Sequence, residues 1–162
     1  MVVPIQGLDH LQRELRRLST GQLEKPSKVI AEGMVTSTKK RFGDQVDPDG
    51  KPWKPLSPVT IKARLGGSKA YTKKGQLRKA AARRVAKMKI LIVSAQLMNS
   101  IQWRVRGGEI AWGTNVKYAR LHNFGSGPEH KSNVPARPFM GINQADQVLI
   151  EKTVTRFLEG TL

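Results

Sequence analysis

The sequence predicts an α+β fold: a small antiparallel β-sheet, the hairpin 101–113, packed with N- and C-terminal helices and carrying a long basic arm. Three observations lead there. Apolar residues recur at helical spacing near both ends of the chain. A strict apolar–polar alternation runs into a Gly-Gly pair and resumes after it. The positive charge is gathered into one stretch. With 162 residues the chain has the length of one domain, 1–162, with the basic arm or insertion at about 62–89.

The first helix is expected over 5–19, where Leu8, Leu11, Leu15 and Leu18 share a face and Gly21 supplies a stop. A second is expected from about Pro26 to Arg41, since proline suits a first helical turn. Val29, Ile30, Met34 and Val35 would form its buried face, with Phe42 closing it, and Gly33 weakens the pattern. Pro48-Asp49-Gly50 is turn chemistry, because Pro presets φ and Gly allows positive φ. Trp53 follows in a proline-rich loop and must bury against its own core or a neighbouring subunit. Ser57-Pro58 reads as the cap and first residue of a short helix to about Leu65. Gly66-Gly67-Ser68 is a joint before an Ala/Arg/Lys-rich helix over 76–88, whose thin apolar stripe is Leu77, Ala81, Val85 and Met88.

Ser94 can cap a short helix carrying Leu97, Met98 and Ile101. The hairpin follows: Ile101, Trp103 and Val105 alternate with polar residues, Gly107-Gly108 turns, and Ile110 and Trp112 return. Trp103 and Trp112 face each other and should point into the core. A short helix over 116–124 carries Tyr118, Leu121 and Phe124 and stops at Gly125. Residues 135–139 are extended, because each proline disfavours helix in the residue before it. The last helix runs from about Asn143 to Leu158, burying Val148, Leu149, Val154, Phe157 and Leu158.

The net charge of +17 is uneven. Residues 50–108 hold fifteen basic and no acidic side chains, while each flank is nearly neutral. Like charges this dense repel, so the isolated segment is expected to be expanded or mobile. It would meet a polyanion or an acidic protein surface through Lys69, Lys73, Lys74, Arg78, Lys79, Arg83, Arg84 and Lys87. Phosphates and carboxylates both use Lys and Arg, so the charge leaves the kind of partner open.

Chemistry is sparse. The absence of cysteine excludes disulfides, thiolate zinc sites and thiol catalysis. The longest apolar run, Ile90–Val93, is far short of a membrane span. No secretion signal is apparent, so synthesis and first use in a cytoplasm are expected. His10, His122 and His130 have no metal spacing, and His122 reads as a structural imidazole bonded to backbone near a helix end. Asp44, Asp47 and Asp49 lack the further oxygen ligands of a calcium loop and read as a turn. No phosphate-binding glycine loop and no nucleophile–base pair is present, so no catalytic residue, metal or cofactor is expected.

Three stretches together resemble a family. The segment Asp47–Trp53 resembles the PDGxPW/Y turn of the phage virion morphogenesis, or tail completion, family known from Mu-like and related contractile-tailed phages. The basic segment, Val116–Gly125 (VKYARLHNFG) and Pro135–Ile142 (PARPFMGI) follow in the same order as in that family. Asn123 stands where the family often has Gln, and Met140 where it often has Leu. The resemblance covers about 40–160 and implies a non-enzymatic structural protein of a tailed bacteriophage. Such a protein would complete the tail and join it to the head, as a subunit of a ring, commonly six-fold, around the DNA channel. Its partners would be further copies of itself, a head–tail connector, tail terminator or tail tube protein, and packaged DNA without sequence preference. It would reside in the virion tail or neck after assembly in the host cytoplasm, with no membrane contact. Trp53, Arg137 and Phe139 would pack subunits together or fix the loops that do so. A head (capsid) assembly factor and a general nucleic-acid-binding protein with a basic arm are the alternatives.

Overall fold

Helix-forming stretches alternate with proline- and glycine-bounded loops, and the computed structural model of the chain follows that punctuation. It describes residues 23–106, 109–127 and 133–160. The expected helix over 5–19, His10, the Gly107-Gly108 turn and His130 lie outside the described residues. In chain order the elements are α1 (Glu24–Asp44), α2 (Pro58–Arg64), a 3-10 turn (Gly67–Ala70), α3 (Lys79–Ala86), α4 (Gln96–Asn99), β1 (Gln102–Arg106), β2 (Glu109–Gly113), α5 (Ala119–Phe124) and α6 (Gln144–Leu158). This is α+β with one two-stranded antiparallel sheet. No helix among the described residues is long and apolar enough to cross a membrane.

Two compact units share the chain, the first made of residues up to 40, 101–114 and from 141 onward, the second of 41–100 and 115–140. In the first unit, Glu24 favours the start of α1 and pairs with Lys28 one turn on, at 3.2 Å. Ile30, Ala31, Met34 and Thr38 form a buried stripe at spacings of three and four. The Thr38 hydroxyl is satisfied by donating to the Met34 carbonyl at 2.7 Å. Val29, expected to be buried, falls off that stripe and is exposed. Gly33 has a packing reason: a Cβ there would lie 2.1 Å from Leu149 Cδ2 on α6. Only a bare Cα lets that leucine sit so close.

Asn143 caps α6 with a reciprocal pair. Its Oδ1 accepts from Asp146 N at 2.8 Å, and Asp146 Oδ2 accepts from Asn143 N at 2.9 Å. The inward stripe of α6 is Asp146, Leu149, Ile150, Thr153 and Phe157. Val148, Val154 and Leu158, placed on the buried face by the sequence reading, are exposed instead. Helical spacing from the cap selects 146, 149, 153 and 157, and those three residues sit to either side. The hairpin has the register that alternation requires, Trp103 opposite Trp112 and Arg106 opposite Glu109. The two tryptophans are half-buried rather than core, and Ile101, just before β1, is the residue fully removed from solvent.

In the second unit, α1 ends at Gln45, whose φ of 61° leaves the helical region. Asp47 then closes the turn, accepting from Gly50 N at 3.0 Å through its carbonyl and from Lys51 N at 2.8 Å through Oδ1. Gly50 takes a φ of 80° that a side chain resists. Ser57 Oγ caps α2 by accepting from Thr60 N at 3.2 Å, and Pro58 occupies its first turn.

The basic stretch corrects an expectation. It is a folded lobe rather than an expanded arm, with the expected helix inside it at Lys79–Ala86. Leu65, Ala70 and Ala81 form a small core, joined by Ile61, Tyr71, Val85 and Met88. Tyr71 and Leu77 form an isolated antiparallel bridge that closes a tight turn at Gly75. Backbone carbonyls hold the lobe's cations: Arg64 Nη1 donates to Lys89 O at 2.8 Å, and Lys89 Nζ to Gly43 O at 3.1 Å. Repulsion among the cations is therefore opposed by local apolar packing and charge–dipole bonds rather than relieved by extension.

Candidate functional site

The lobe's surface is cationic because its apolar residues are few and turned inward, leaving most of its Lys and Arg side chains outside. Lys69, Lys73, Lys74, Arg78, Lys79, Arg83, Arg84 and Lys87 are all exposed. Lys73 and Lys74 occupy the tip of the turn, where Thr72 N donates to Gln76 O at 2.7 Å and Gly75 N to Thr72 O at 2.9 Å. Lys79, Arg83 and Arg84 lie on α3, whose one buried residue is Ala81. Arg83 and Arg84 sit in its last turn, where the helix dipole favours cations. Arg78 Nε donates to Tyr71 O at 3.2 Å and Arg84 Nη2 to Arg64 O at 3.3 Å. These bonds position two guanidinium groups without neutralising them. The expected contact residues thus share one folded element.

Trp53, Arg137 and Phe139 lie inside the chain's own second unit. Phe42 is the hub: its ring meets Trp53 edge-on at 5.5 Å and Phe139 at 5.1 Å, tilted by 48°. Trp53 Nε1 donates to Pro138 O at 2.7 Å. Arg137 is buried, its Nε donating to Lys54 O at 2.8 Å and its Nη2 to Pro55 O at 3.0 Å. Arg41 Nη1 donates to Phe139 O at 3.0 Å. Asn123 Oδ1 accepts from both Phe139 N and Met140 N at 3.0 Å. Within the unit their contacts tie two loops together. The 47–58 loop is clamped to the 135–140 segment by aromatic packing and charge-assisted bonds.

The second unit also contains a cavity of about 670 Å³. Three of its lining residues are cations or titrate to one: Arg64, His122 and Arg137. The His122 ring meets Tyr118 edge-on at 5.7 Å. Its Nδ1 is buried with no hydrogen-bond partner, which corrects the expectation of an imidazole bonded to backbone. Burial, and then the charges of Arg137 and Arg64, hold the His122 pKa below its ordinary value. Among the described residues no group of three or more His, Asp or Glu side chains could hold a metal ion.

Comparison with known proteins adds one finding. The profile of the phage virion morphogenesis family matches residues 4–159. The chain belongs to that family. No curated protein and no solved structure matches it.

For a virion morphogenesis protein the motifs divide by role. The Asp47–Trp53 turn, the Val116–Gly125 stretch and the Pro135–Ile142 stretch are brought together by Trp53, Asn123, Arg137 and Phe139, so the shared segments of the family resemblance form one clamp. Asn123, where the family often has Gln, carries out the central double acceptance, which its position in sequence did not disclose. The cavity was also missed. Its cations come from three separate stretches, and no spacing rule joins Arg64 to His122 and Arg137.

Proposed function

We propose that this protein completes the phage tail and joins it to the DNA-filled head, as one subunit of a six-fold ring around the DNA channel. It acts as a structural part, without catalysis or a cofactor. Its partners are further copies of itself, the connector, tail terminator or tail tube protein, and packaged DNA. It stays in the tail or neck of the finished virion. The observation that carries this is the folded lobe: eight exposed Lys and Arg side chains between residues 69 and 87, inside a stretch, 50–108, with no acidic residue. A ring repeats that lobe at every subunit, making a positive annulus for a polyanion or an acidic rim. A folded lobe also presents its charges at fixed positions, which suits a defined joint better than a loose tether.

The test is the charge-reversed variant R78E/K79E/R83E/R84E in the phage, with lysates viewed by electron microscopy and the isolated subunit checked by circular dichroism. Full heads beside complete, unattached tails, with a folded subunit, are expected. Infectious particles in normal yield would remove the lobe from the joint. Missing or misshapen heads with normal tails would replace tail completion by head assembly. If DNA is the partner, wild-type binding weakens with salt by about 0.9 logarithmic units per phosphate contact, and the variant loses that slope.

A further inference from the structure

The cavity in the second unit gathers positive charge that no described acidic side chain balances. Arg64, His122 and Arg137 line it, and among the described residues no acidic side chain does. Among the described residues neither arginine has an ion pair. Each is held by neutral carbonyls: Arg64 by Lys89 O, Arg137 by Lys54 O and Pro55 O. Such acceptors fix a guanidinium in place but leave its charge uncompensated. The strain is visible in all three groups. Burial lowers the pKa of Arg64 and Arg137, Arg64 lowers Arg137 further, and both arginines lower His122.

The wall is otherwise suited to side chains. Leu56 and Leu97 contribute apolar surface. Leu91 and Ala95 also line it, and among the described residues they are two of the three non-glycine residues with positive φ, at 58° and 59°. Backbone held in that region costs free energy and concentrates where a site is shaped. The volume falls within the roughly 300–1,000 Å³ of ligand pockets.

We propose that this cavity receives a short extended segment of a neighbouring protein, a carboxylate side chain flanked by apolar ones, with Arg64 and Arg137 pairing the carboxylate and His122 Nδ1 adding a hydrogen bond. Guanidinium forks match a planar carboxylate, and the apolar wall matches its flanks. A duplex phosphate is a poorer match. It lies on a convex cylinder between polar sugars and has no apolar flank to bury. Of the lobe's cations only Arg64 lines the cavity; the eight cations expected to meet a polyanion or acidic surface do not.

The experiment titrates the full isotope-labelled chain with capped tripeptides, acetyl-Xaa-Glu-Xaa-amide and the Gln twins, Xaa being Leu, Val or Phe. Inorganic phosphate and a short DNA duplex are run in parallel. At least one Glu peptide is expected to bind about tenfold or more tighter than its Gln twin. The chemical-shift changes should centre on His122 and the Nε groups of Arg64 and Arg137. Gln96→Trp, from the exposed wall of the cavity, should abolish binding without disturbing a cation, and R78E/K79E/R83E/R84E should leave it intact. Equal affinity for Glu and Gln peptides, no binding by any peptide at millimolar concentration, or shifts confined to 69–87 would overturn the proposal. Cavity shifts produced by phosphate or duplex but not by peptide would also overturn it, assigning the site to a nucleic-acid backbone.

Discussion

The Phe42–Trp53–Phe139 cluster and the cationic lobe lie in the same unit and are built on opposite principles. The cluster joins residues far apart in the chain, buries three large rings and satisfies its polar atoms with long-range bonds. The lobe is local. Its buried core is one leucine and two alanines, and the eight Lys and Arg side chains between 69 and 87 face water. The first arrangement concentrates stability in a few side chains. The second needs little from each, which frees the surface to carry charge. Sensitivity to substitution should therefore separate them sharply. Phe139→Ala removes a fully buried ring and is expected to cost about 3–5 kcal/mol, read from the urea midpoint. R78E/K79E/R83E/R84E changes four exposed positions and should move the same midpoint by about 1 kcal/mol or less. Equal losses would show that the lobe's packing depends on its cations and would erase the distinction.

Two glycines sharpen it at the level of backbone. Gly125 ends α5 with φ 77° and ψ 176°, a region open essentially to glycine alone. A Cβ there would lie 2.8 Å from Ala136 N and 2.9 Å from Val134 O. Neither backbone atom can move away without breaking the clamp. Gly125→Ala should cost about 2 kcal/mol or more. Gly33 presents a shorter nominal contact, 2.1 Å, but to the methyl of a leucine that can rotate. Helix propensity also favours alanine there by about 1 kcal/mol. Gly33→Ala should leave stability within about 1 kcal/mol of the parent. Thermal unfolding of the two single variants decides whether the neighbour's rigidity, rather than the distance, sets the outcome.

What could be read in advance follows the same division. Local signals carried through: the Ser57 cap, the Asn143 start, the alternation in β1 and β2, and the Gly125 stop all stand where expected. These depend on neighbours within a few residues. Signals that needed a partner did not. Val148, Val154 and Leu158 look buried by type, but only packing could show that Asp146 and Thr153 face inward. The helical stripe foretold Ala81, Val85 and Met88 packing inward, but the charge count suggested an expanded segment, since repulsion is visible in a sequence and Leu65 meeting Ala70 is not. The clamp was legible as three motifs and illegible as one object. Asn123 accepting from Phe139 N and Met140 N spans a gap of sixteen and seventeen residues. The cavity left no local trace at all.

The smallest expected effect concerns His122, the cavity residue that titrates near neutrality. Its folded pKa lies below the ordinary value of 6.5, through burial first and the charges of Arg137 and Arg64 second. Between the lowered value and 6.5 the unfolded chain binds more protons than the folded one, so stability rises with pH across that window. The contribution is full above 6.5 and declines as pH falls toward the lowered value. His122→Gln should flatten the dependence of the urea midpoint on pH relative to the parent, since carboxylates titrating in both chains cancel in the difference. An unchanged slope would mean that the imidazole is not the group sensing the two arginines. A bound carboxylate peptide tests the same arrangement from the other side. By offsetting Arg64 and Arg137 it should raise the His122 pKa, and the parent's slope should diminish or change sign when the cavity is filled.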